Sequence, residues 1–472
     1  SRKGIIMKSN ELTSDIRDLK VMGARTQSGS CWASATHKLV ALDKETLQPV
    51  SVDWWYEDET TSRFTGPVFT DTRPDVRLLA NSDVYRLGDV INISNFGGSG
   101  SALAVIKNDG TVEAWGMPQN GGTSPTSDRN HNVRAVYGGW DVSAAVNANG
   151  QVFTWSVDDD NPLPDNVAAL DDIVDIKVAQ YFTDQGNYTY LALRANNQVV
   201  QWTDGTSHND FPADIAERKD FIAIQTTEYA FAGITQNGHV ITWGDAAYGG
   251  ELPVHLKEVN DVITLYSNVG AFVALRASGS IFSWGSTRYG AVIPDNIASL
   301  TDIVSVHCTS STFIALRQNG SVVFWGQDYS LVELPEEIAS LTNIIDVQGA
   351  ANSSYAFLTS EGKVYCWGSA THFEKKMPAD LSDVVSLSAG WGAFAALRRD
   401  GSVVAWGHPG EGGDTTPVAN ELYDIRAIYA CGYRFCALRN DGRLFEWGEE
   451  ARTDITKMPA DLQGNVTYSF VK

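Results

Sequence analysis

Tryptophan recurs through most of this chain at nearly constant intervals. Consecutive members of the series are separated by 39 to 47 residues. The nine members are Trp115, Trp155, Trp202, Trp243, Trp284, Trp325, Trp367, Trp406 and Trp447. A period of about 40 residues indicates one supersecondary unit that is copied many times, with each copy packing against its neighbours. The repeat constrains the fold more tightly than the function, because repeat scaffolds share a frame and differ in their loops.

One unit, residues 301–326, shows the elements of the repeat. Three short apolar runs, Ile303–Val306, Phe313–Leu316 and Val322–Trp325, are separated by polar and turn residues, and this pattern is typical of strands. The last two runs are joined by an Asn-Gly step at residues 319–320, which favours a two-residue hairpin turn. No long helical period is present after residue 90. Nine such units predict an all-β fold, a β-propeller.

A second aromatic position recurs four residues before a Lys or Arg in most units. It is occupied by Tyr190, Phe231, Phe272, Phe313, Tyr355, Phe394 and Phe435. An aromatic residue at one phase of every unit favours core between adjacent units over a ligand site. We interpret the nine tryptophans in the same way.

The period divides the chain into two parts. Residues 88–472 are predicted to form a β-propeller of about nine units, and residues 1–87 a small β-rich domain. The pattern around Trp54 is weakly similar to immunoglobulin-like modules, and a degenerate tenth unit is the alternative. The segment Val466–Phe470 follows Trp447 at the spacing of a first strand, so we expect it to pair with strands from the N-terminal side.

Composition excludes several classes of function. The formal net charge of −22 opposes contact with nucleic acid or anionic lipid. No run of 18 apolar residues exists, so membrane insertion is not expected. The five cysteines and eight histidines show no metal-site spacing, and no catalytic or cofactor motif is present. We therefore expect a monomer without enzymatic activity, cofactor or metal. The N-terminal sequence lacks the apolar stretch of a signal peptide, and the compartment stays open, with the cell surface or secretion favoured over the cytoplasm.

The unit A-L-R-x-x-G-x-V-x-x-W-G resembles the regulator-of-chromosome-condensation repeat over about residues 88–472. The linker of residues 406–417, with its G-G-x-x-x-P pattern, resembles the bacterial short-repeat branch, which includes the propeller-type β-lactamase inhibitory protein. Two features depart from the family: seven blades are its norm, and its chromatin-binding founder has basic surfaces.

The resemblance implies a non-enzymatic, protein-binding propeller, the recognition module of a bacterial secreted or toxin-like protein. Two alternatives stay open. One is a carbohydrate-binding propeller, in which exposed aromatic side chains stack on sugars. The other is an exchange factor or effector acting on a small GTPase, as the family's founder is.

Candidate binding residues lie in the loop before the A-L-R strand, where the units differ. They are Trp140, Asp141, Tyr181, Tyr188, Tyr229, Trp391, Tyr433 and Arg434. We expect the aromatic members to be partly exposed on one rim and to anchor a protein partner. The alternative is that each ring packs over a neighbouring loop. The linkers after each Trp-Gly are predicted to lie on the opposite rim and rank second, with Tyr248, Tyr289, Tyr329 and Phe373.

Overall fold

The protein is described here from a computed structural model. The structure describes residues 19–25, 37–59, 61–74, 76–81, 83–85, 90–92, 102–139, 142–156, 163–179, 188–203, 211–328, 330–448, 457–466 and 469–470. Within these residues, regular structure is almost entirely β, with 35 strands in eleven sheets.

Two of the sheets are built mainly from the N-terminal part of the chain. Its strands are β1 (Leu19–Met22), β2 (His37–Asp43), β3 (Val52–Tyr56), β4 (Phe64–Gly66), β5 (Val68–Asp71), β6 (Leu78–Ala80) and β7 (Asp83–Tyr85). One sheet has the order β1-β2-β5, and the other has the order β35-β7-β6-β3-β4, where β35 is the C-terminal strand Ser469–Phe470. We call the described residues from 19 to 81 the N-terminal plug.

The other nine sheets are three-stranded, antiparallel and consecutive in sequence, and we number them blades 1 to 9. Their first strands are β8 (Val90–Asn92), β11 (Val133–Gly138), β14 (Ile173–Ala179), β17 (Phe221–Thr226), β20 (Val262–Ser267), β23 (Ile303–Cys308), β26 (Ile344–Ala350), β29 (Val384–Ala389) and β32 (Ile425–Cys431). Their second strands are β9 (Ala102–Ile106), β12 (Ser143–Asn147), β15 (Thr189–Arg194), β18 (Ala230–Thr235), β21 (Ala271–Arg276), β24 (Thr312–Arg317), β27 (Ser354–Thr359), β30 (Ala393–Arg398) and β33 (Arg434–Arg439). Their third strands are β10 (Val112–Gly116), β13 (Val152–Trp155), β16 (Val199–Thr203), β19 (Val240–Gly244), β22 (Ile281–Gly285), β25 (Val322–Gly326), β28 (Val364–Gly368), β31 (Val403–Gly407) and β34 (Leu444–Gly448).

Helices in the described residues are short and lie mostly in the linkers between blades. Four single-turn α-helices each follow a proline: α1 (Asp165–Ala168), α2 (Ala213–Ala216), α3 (Asp295–Ala298) and α4 (Glu336–Ala339). The 3₁₀ turns are Pro118–Asn120, Ala246–Tyr248, Val254–Leu256, Thr287–Tyr289, Ser369–His372, Pro409–Glu411, Thr416–Glu421 and Ala460–Leu462.

The tryptophans join adjacent blades, as the sequence predicted. In blade 6 the ring of Trp325 stacks on Phe313, with ring centroids 5.3 Å apart. Its indole Nε1 donates a hydrogen bond of 3.0 Å to the carbonyl oxygen of Gly290, in the preceding linker. Both aromatic side chains are buried. The prediction that the two aromatic columns form core between units is confirmed.

The nine blades form a continuous circuit of neighbours. The first strand of each blade contacts the first strand of the next, and β32 of blade 9 contacts β8 of blade 1. At that junction the indole of Trp115 in blade 1 donates a 2.6 Å hydrogen bond to the Glu446 carboxylate of blade 9. The first strands are therefore the inner strands of the circuit. The predicted β-propeller of about nine repeat units is confirmed, and it departs from the family norm of seven.

The C-terminal segment joins blade 1 to the N-terminal part of the chain. Asn108 N donates a hydrogen bond of 2.8 Å to Asn465 O. The equivalent bond in blade 6, from Gln318 N to Asp302 O, joins two residues of the same blade. Val466 is fully buried. Strand β35 then pairs with β7. The predicted pairing of the C-terminal strand with the N-terminal side is confirmed.

The N-terminal plug lies against the inner strands on one side of the circuit. Strand β2 contacts β29 of blade 8, and β1 contacts β32 of blade 9. Gly23 N donates to Arg426 O at 3.0 Å, and Arg426 Nε donates to Val21 O at 3.1 Å. The predicted domain boundary at residue 87 falls between strands of one sheet, because β7, β6, β3 and β4 precede it and β35 follows it. The division at residue 87 and the immunoglobulin-like topology stay predictions.

Candidate binding site on the loop rim

The loop between the first and second strands meets the linker after Trp-Gly on one rim, which we call the loop rim. In blade 4 the linker residue Asp245 donates its N–H to Tyr229 O at 2.9 Å, and in blade 8 His408 N donates to Gly392 O at 2.9 Å. The reason is strand direction: the second strand starts where the antiparallel third strand ends. The Asn-Gly hairpin turns therefore lie at the other rim.

This geometry corrects one expectation. The linkers with Tyr248, Tyr289 and Phe373 were predicted on the opposite rim, and that assignment is wrong. They share the loop rim with Tyr229, because Trp-Gly ends the third strand beside the start of the second. Tyr329 lies outside the described residues.

The predicted binding residues fall into three groups. Trp140, Asp141 and Tyr181 lie outside the described residues. Tyr229, Trp391 and Tyr433 are half-buried on the loop rim, as expected for partly exposed anchors. Tyr188 and Arg434 are buried, with 8% and 5% of their surfaces exposed. The expectation that Tyr188 is exposed was wrong, because its ring packs into the core cluster of blades 1 to 3. The binding role of the set stays a prediction.

Arg434 is held within the junction of blades 9 and 1. Its guanidinium forms an ion pair with Glu446, the residue that also accepts the hydrogen bond from Trp115. Arg434 therefore positions a carboxylate that joins two blades, and its charge is directed into the protein.

Three tyrosines form a row along the loop rim over blades 4 and 5. The rings of Tyr229 and Tyr248 meet edge to face at a centroid distance of 4.5 Å, and Tyr248 lies 6.2 Å from Tyr289. A Cβ atom on Gly270 would stand 2.4 Å from the Tyr289 ring, so glycine is needed there for the ring to lie over the loop.

A second aromatic pair lies over blades 8 and 9. The rings of Trp391 and Tyr433 meet edge to face at 5.9 Å. The backbone of Trp391 donates to Gly432 O at 2.7 Å and accepts from Asn352 N at 2.8 Å. Three successive loops are thus hydrogen-bonded to one another, which holds the Trp391 ring in place.

Between these aromatic groups lies a depression of about 1120 Å³. Its lining combines apolar, aromatic and charged side chains. The lining residues are Glu228, Val269, Thr287, Arg288, Tyr289, Gly290, Val292, Ser310, Ser311, Gly326, Gln327, Asp328, Val332 and Trp391. Val292 and Val332 expose 66% and 65% of their surfaces, which is far more than core valines do. We call this feature the rim depression.

Glu228 is a partly buried acid that lines the rim depression. Burial raises the pKa of its carboxyl from 4.5 to about 7. Its backbone N–H donates to Val269 O at 3.0 Å, while no described residue donates a hydrogen bond to the carboxylate. By contrast, Asp328 accepts a hydrogen bond from Ser311 Oγ at 2.8 Å and another from Ser353. Glu228 is thus suited to receive a donor from outside the chain.

Sequence reasoning found Tyr229 and Trp391 but missed most of this depression. Val292 and Val332 lie in linkers that had been placed on the other rim. Each valine lies next to an apolar linker residue that packs against the core, Ile293 beside Val292 and Leu331 beside Val332, so the sequence alone does not separate the exposed member from the buried one.

The geometry defines a repeat β-propeller with a mixed apolar and charged depression on its loop rim. A family model described as "Regulator of chromosome condensation (RCC1) repeat" matches residues 384–412, which cover the strands of blade 8 and the start of the following linker. Residues 384–412 thus match a repeat of this type, which confirms the resemblance seen in the sequence. Its bacterial branch stays a prediction. No curated protein matches the chain.

Several solved structures are similar to this chain. The ectodomain of the Physcomitrella patens receptor kinase CR4 has 17% identity and a TM-score of 0.36, over 59% of this chain and 74% of that one. Human WBSCR16 has 18% identity and a TM-score of 0.36, and the match covers 68% of this chain and 90% of that one. Saccharomyces cerevisiae Prp20p has 12% identity and a TM-score of 0.33, and the match covers 82% of this chain and 90% of that one. The structure of Prp20p is described together with its binding properties to Gsp1p and histones.

Proposed function

We propose that this chain is a non-enzymatic protein-binding propeller and that its partner docks on the rim depression. The observation that carries the proposal is the exposure of Val292 and Val332 beside Tyr289 and Trp391. Exposed apolar side chains rimmed by polar groups mark interaction surfaces. Aromatic side chains held by their own backbone contacts supply much buried area at a low entropic cost.

Charge supports a basic partner. The chain carries a net charge of −22, which accelerates the approach of positively charged proteins. Within the depression, Glu228 and Asp328 offer carboxylates, although Arg288 also lines it. A partner with a lysine or arginine beside an apolar side chain fits this lining.

The proposal includes a setting: the propeller acts as the recognition module of a bacterial secreted or toxin-like protein. The support is the resemblance of the repeat and its G-G-x-x-x-P linker to the bacterial branch. No helix in the described part of the chain has the length and apolar character needed to span a membrane. Sequencing the genes beside this one tests the setting, since a secretion system or a cognate immunity gene is expected there.

The docking surface is tested by site-specific photo-crosslinking. A crosslinker at position 332 should capture a discrete partner, and one at Val254 should not, although Val254 is 79% exposed and also lies in a linker. With the partner purified, Val332→Asp should weaken binding about tenfold or more, whereas Val254→Asp should not. Equal affinities for both variants would refute the rim assignment. Binding to a glycan array without any protein partner would support the carbohydrate alternative.

A further inference from the structure

The N-terminal plug fills only one side of the space inside the blades. It contacts blades 8 and 9, and a cavity of about 820 Å³ lies between it and blades 2 to 6. The plug side of the cavity is formed by Asp58, Thr70, Thr72, Arg73, Pro74 and Val76. The volume is within the roughly 300–1,000 Å³ range of small-molecule sites.

The blade side of the cavity presents an exposed apolar surface. Ile222, Ile263 and Val304 occupy the same position in blades 4, 5 and 6 and are 50%, 57% and 50% exposed. In each of these blades the pairing between the first and second strands shifts by one residue at this position, as between Ile303 and Ser305. The residue at the shift therefore forms a β-bulge. A bulge of this kind re-aims a side chain, here into the cavity instead of into the core between blades.

The same position is covered where the plug is in contact. In blade 8 the bulge residue is Val385, which packs into a cluster with Val40 and Leu42 of the plug. The bulge residues of blades 4, 5 and 6 therefore form an apolar surface that the plug leaves uncovered.

A cation stands beside this apolar surface. Lys177 of blade 3 lines the cavity, and its side chain is only 14% exposed. The nearest carboxylate, on Asp175, is 3.9 Å from Nζ, which is too long for a hydrogen bond. Among the described residues, none accepts a hydrogen bond from this ammonium group.

The other cations of the cavity are already engaged. Arg73 forms ion pairs with Asp58 and Glu59, and Arg134 donates to Ile173 O at 3.1 Å. Lys177 is thus the cation best placed to meet a ligand.

We propose that this cavity binds a single-chain aliphatic carboxylate, with its hydrocarbon chain on Ile222, Ile263 and Val304 and its head group on Lys177. Burial of the chain on an apolar surface supplies the affinity. A charge-assisted hydrogen bond to a largely shielded ammonium orients the head. This site is separate from the rim depression and does not depend on the protein-binding function.

The proposal is tested with 11-(dansylamino)undecanoate as a fluorescent probe, displaced by dodecanoate. Ile263→Asp should raise the probe Kd at least tenfold, since it places a carboxylate on the apolar surface. Lys177→Gln should raise it about five- to tenfold, while Lys177→Arg should bind like wild type. The matched controls Val254→Asp and Lys257→Gln, at exposed positions outside the cavity, should leave the Kd unchanged.

Head-group recognition has its own measurement. Wild type should bind dodecanoate about tenfold more tightly than dodecanol, and Lys177→Gln should lose that preference. If Ile263→Asp does not fold, Val304→Gln serves as the second variant of the apolar surface. Failure of wild type to bind the probe below its micellar concentration would overturn the proposal, as would equal binding by all variants.

Discussion

The two sides of the space inside the blades differ although the repeat that builds them is the same. On the side of blades 8 and 9, Val385 packs under Val40 and Leu42, and Arg426 is hydrogen-bonded to the plug. On the side of blades 4 to 6, Ile263 at the position of Val385 remains 57% exposed. The plug lies to one side of this space. The bulge residue of the repeat is therefore core in the blades that the plug covers and surface in the blades that it does not.

Buried ionisable groups of blades 6 and 7 also lie near Lys38 of the plug. Burial raises the pKa of Asp346 in blade 7 to about 6, against the influence of Lys38 in the plug. Burial, with a smaller contribution from Lys38, lowers the pKa of His307 in blade 6 to about 3. Burial also lowers the pKa of Lys38 itself. Burying the charged forms of Lys38 and Asp346 costs desolvation free energy, whereas His307 stays neutral near pH 7 and carries no such cost.

The largest effect is expected inside the plug, at Asp71. Its carboxylate accepts a 2.7 Å hydrogen bond from Arg25 Nε and a 2.8 Å bond from the Tyr56 hydroxyl, and the Arg25 and Asp71 side chains are fully buried. Asp71→Ala leaves an uncompensated buried guanidinium, which should lower the free energy of unfolding by about 3–5 kcal/mol. Urea denaturation measures this loss.

Asp58 provides the control for Asp71. It pairs with Arg73 on the surface, so Asp58→Ala should cost less than about 1 kcal/mol. If Asp71→Ala is as mild as Asp58→Ala, the buried pair contributes little to the stability of the plug.

The next effect is expected at the junction of the plug and blade 1. Deleting residues 464–472 removes the fully buried Val466, the bond between Asn108 and Asn465, and the pairing of β35 with β7. Together these losses should amount to about 3 kcal/mol. Scanning calorimetry should show a marked fall in Tm, and an unchanged melting curve would mean that the C-terminal segment is not needed for closure.

These contrasts show what the sequence could predict. The nine blades were predictable because every unit repeats its apolar runs, its tryptophan and a hairpin turn, with a glycine in that turn in eight of the nine units. The position of the plug was not, since residues 19–81 lack the period and their contacts with blades 8 and 9 are long-range. The loop rim was predictable from the variable loops. The linkers lie on that same rim because the second and third strands are antiparallel, as those that contain Phe313 and Trp325 are, and the prediction of the opposite rim was wrong. The exposure of Tyr188 was predicted wrongly, because the sequence of a loop does not show whether an aromatic ring points to solvent or into the core.

A matched pair of valines tests the two sides of the interior directly. Val40→Ala, on the covered side, removes methyl groups from a site only 4% exposed and should cost about 2 kcal/mol. Val304→Ala makes the same change on the uncovered side, where the side chain is half exposed, and should cost less than about 0.5 kcal/mol. Both values come from urea denaturation, and equal costs would remove the distinction between the two sides.

The last effect, at Glu228 on the loop rim of blade 4, depends on pH. Burial raises the pKa of this carboxyl from 4.5 to about 7, so between these values the folded state holds more protons than the unfolded state. Stability is therefore lost as the pH rises through that window. Tyr229 and Tyr248 add no charge there, because burial also raises the pKa of each above its usual range.

Glu228→Gln removes this penalty. Its free energy of unfolding should match wild type near pH 4 and exceed it above pH 7 by on the order of 1 kcal/mol, because the carboxyl keeps some solvent contact, and its Tm should rise with it. Thermal unfolding from pH 4 to 8 measures the difference, with the exposed Glu258→Gln as a control that should follow wild type throughout. A difference between Glu228→Gln and wild type that stays constant across this range would show that Glu228 ionises normally. The rim depression would then hold a permanent negative charge at neutral pH, and a basic partner would bind without releasing or taking up a proton at this site.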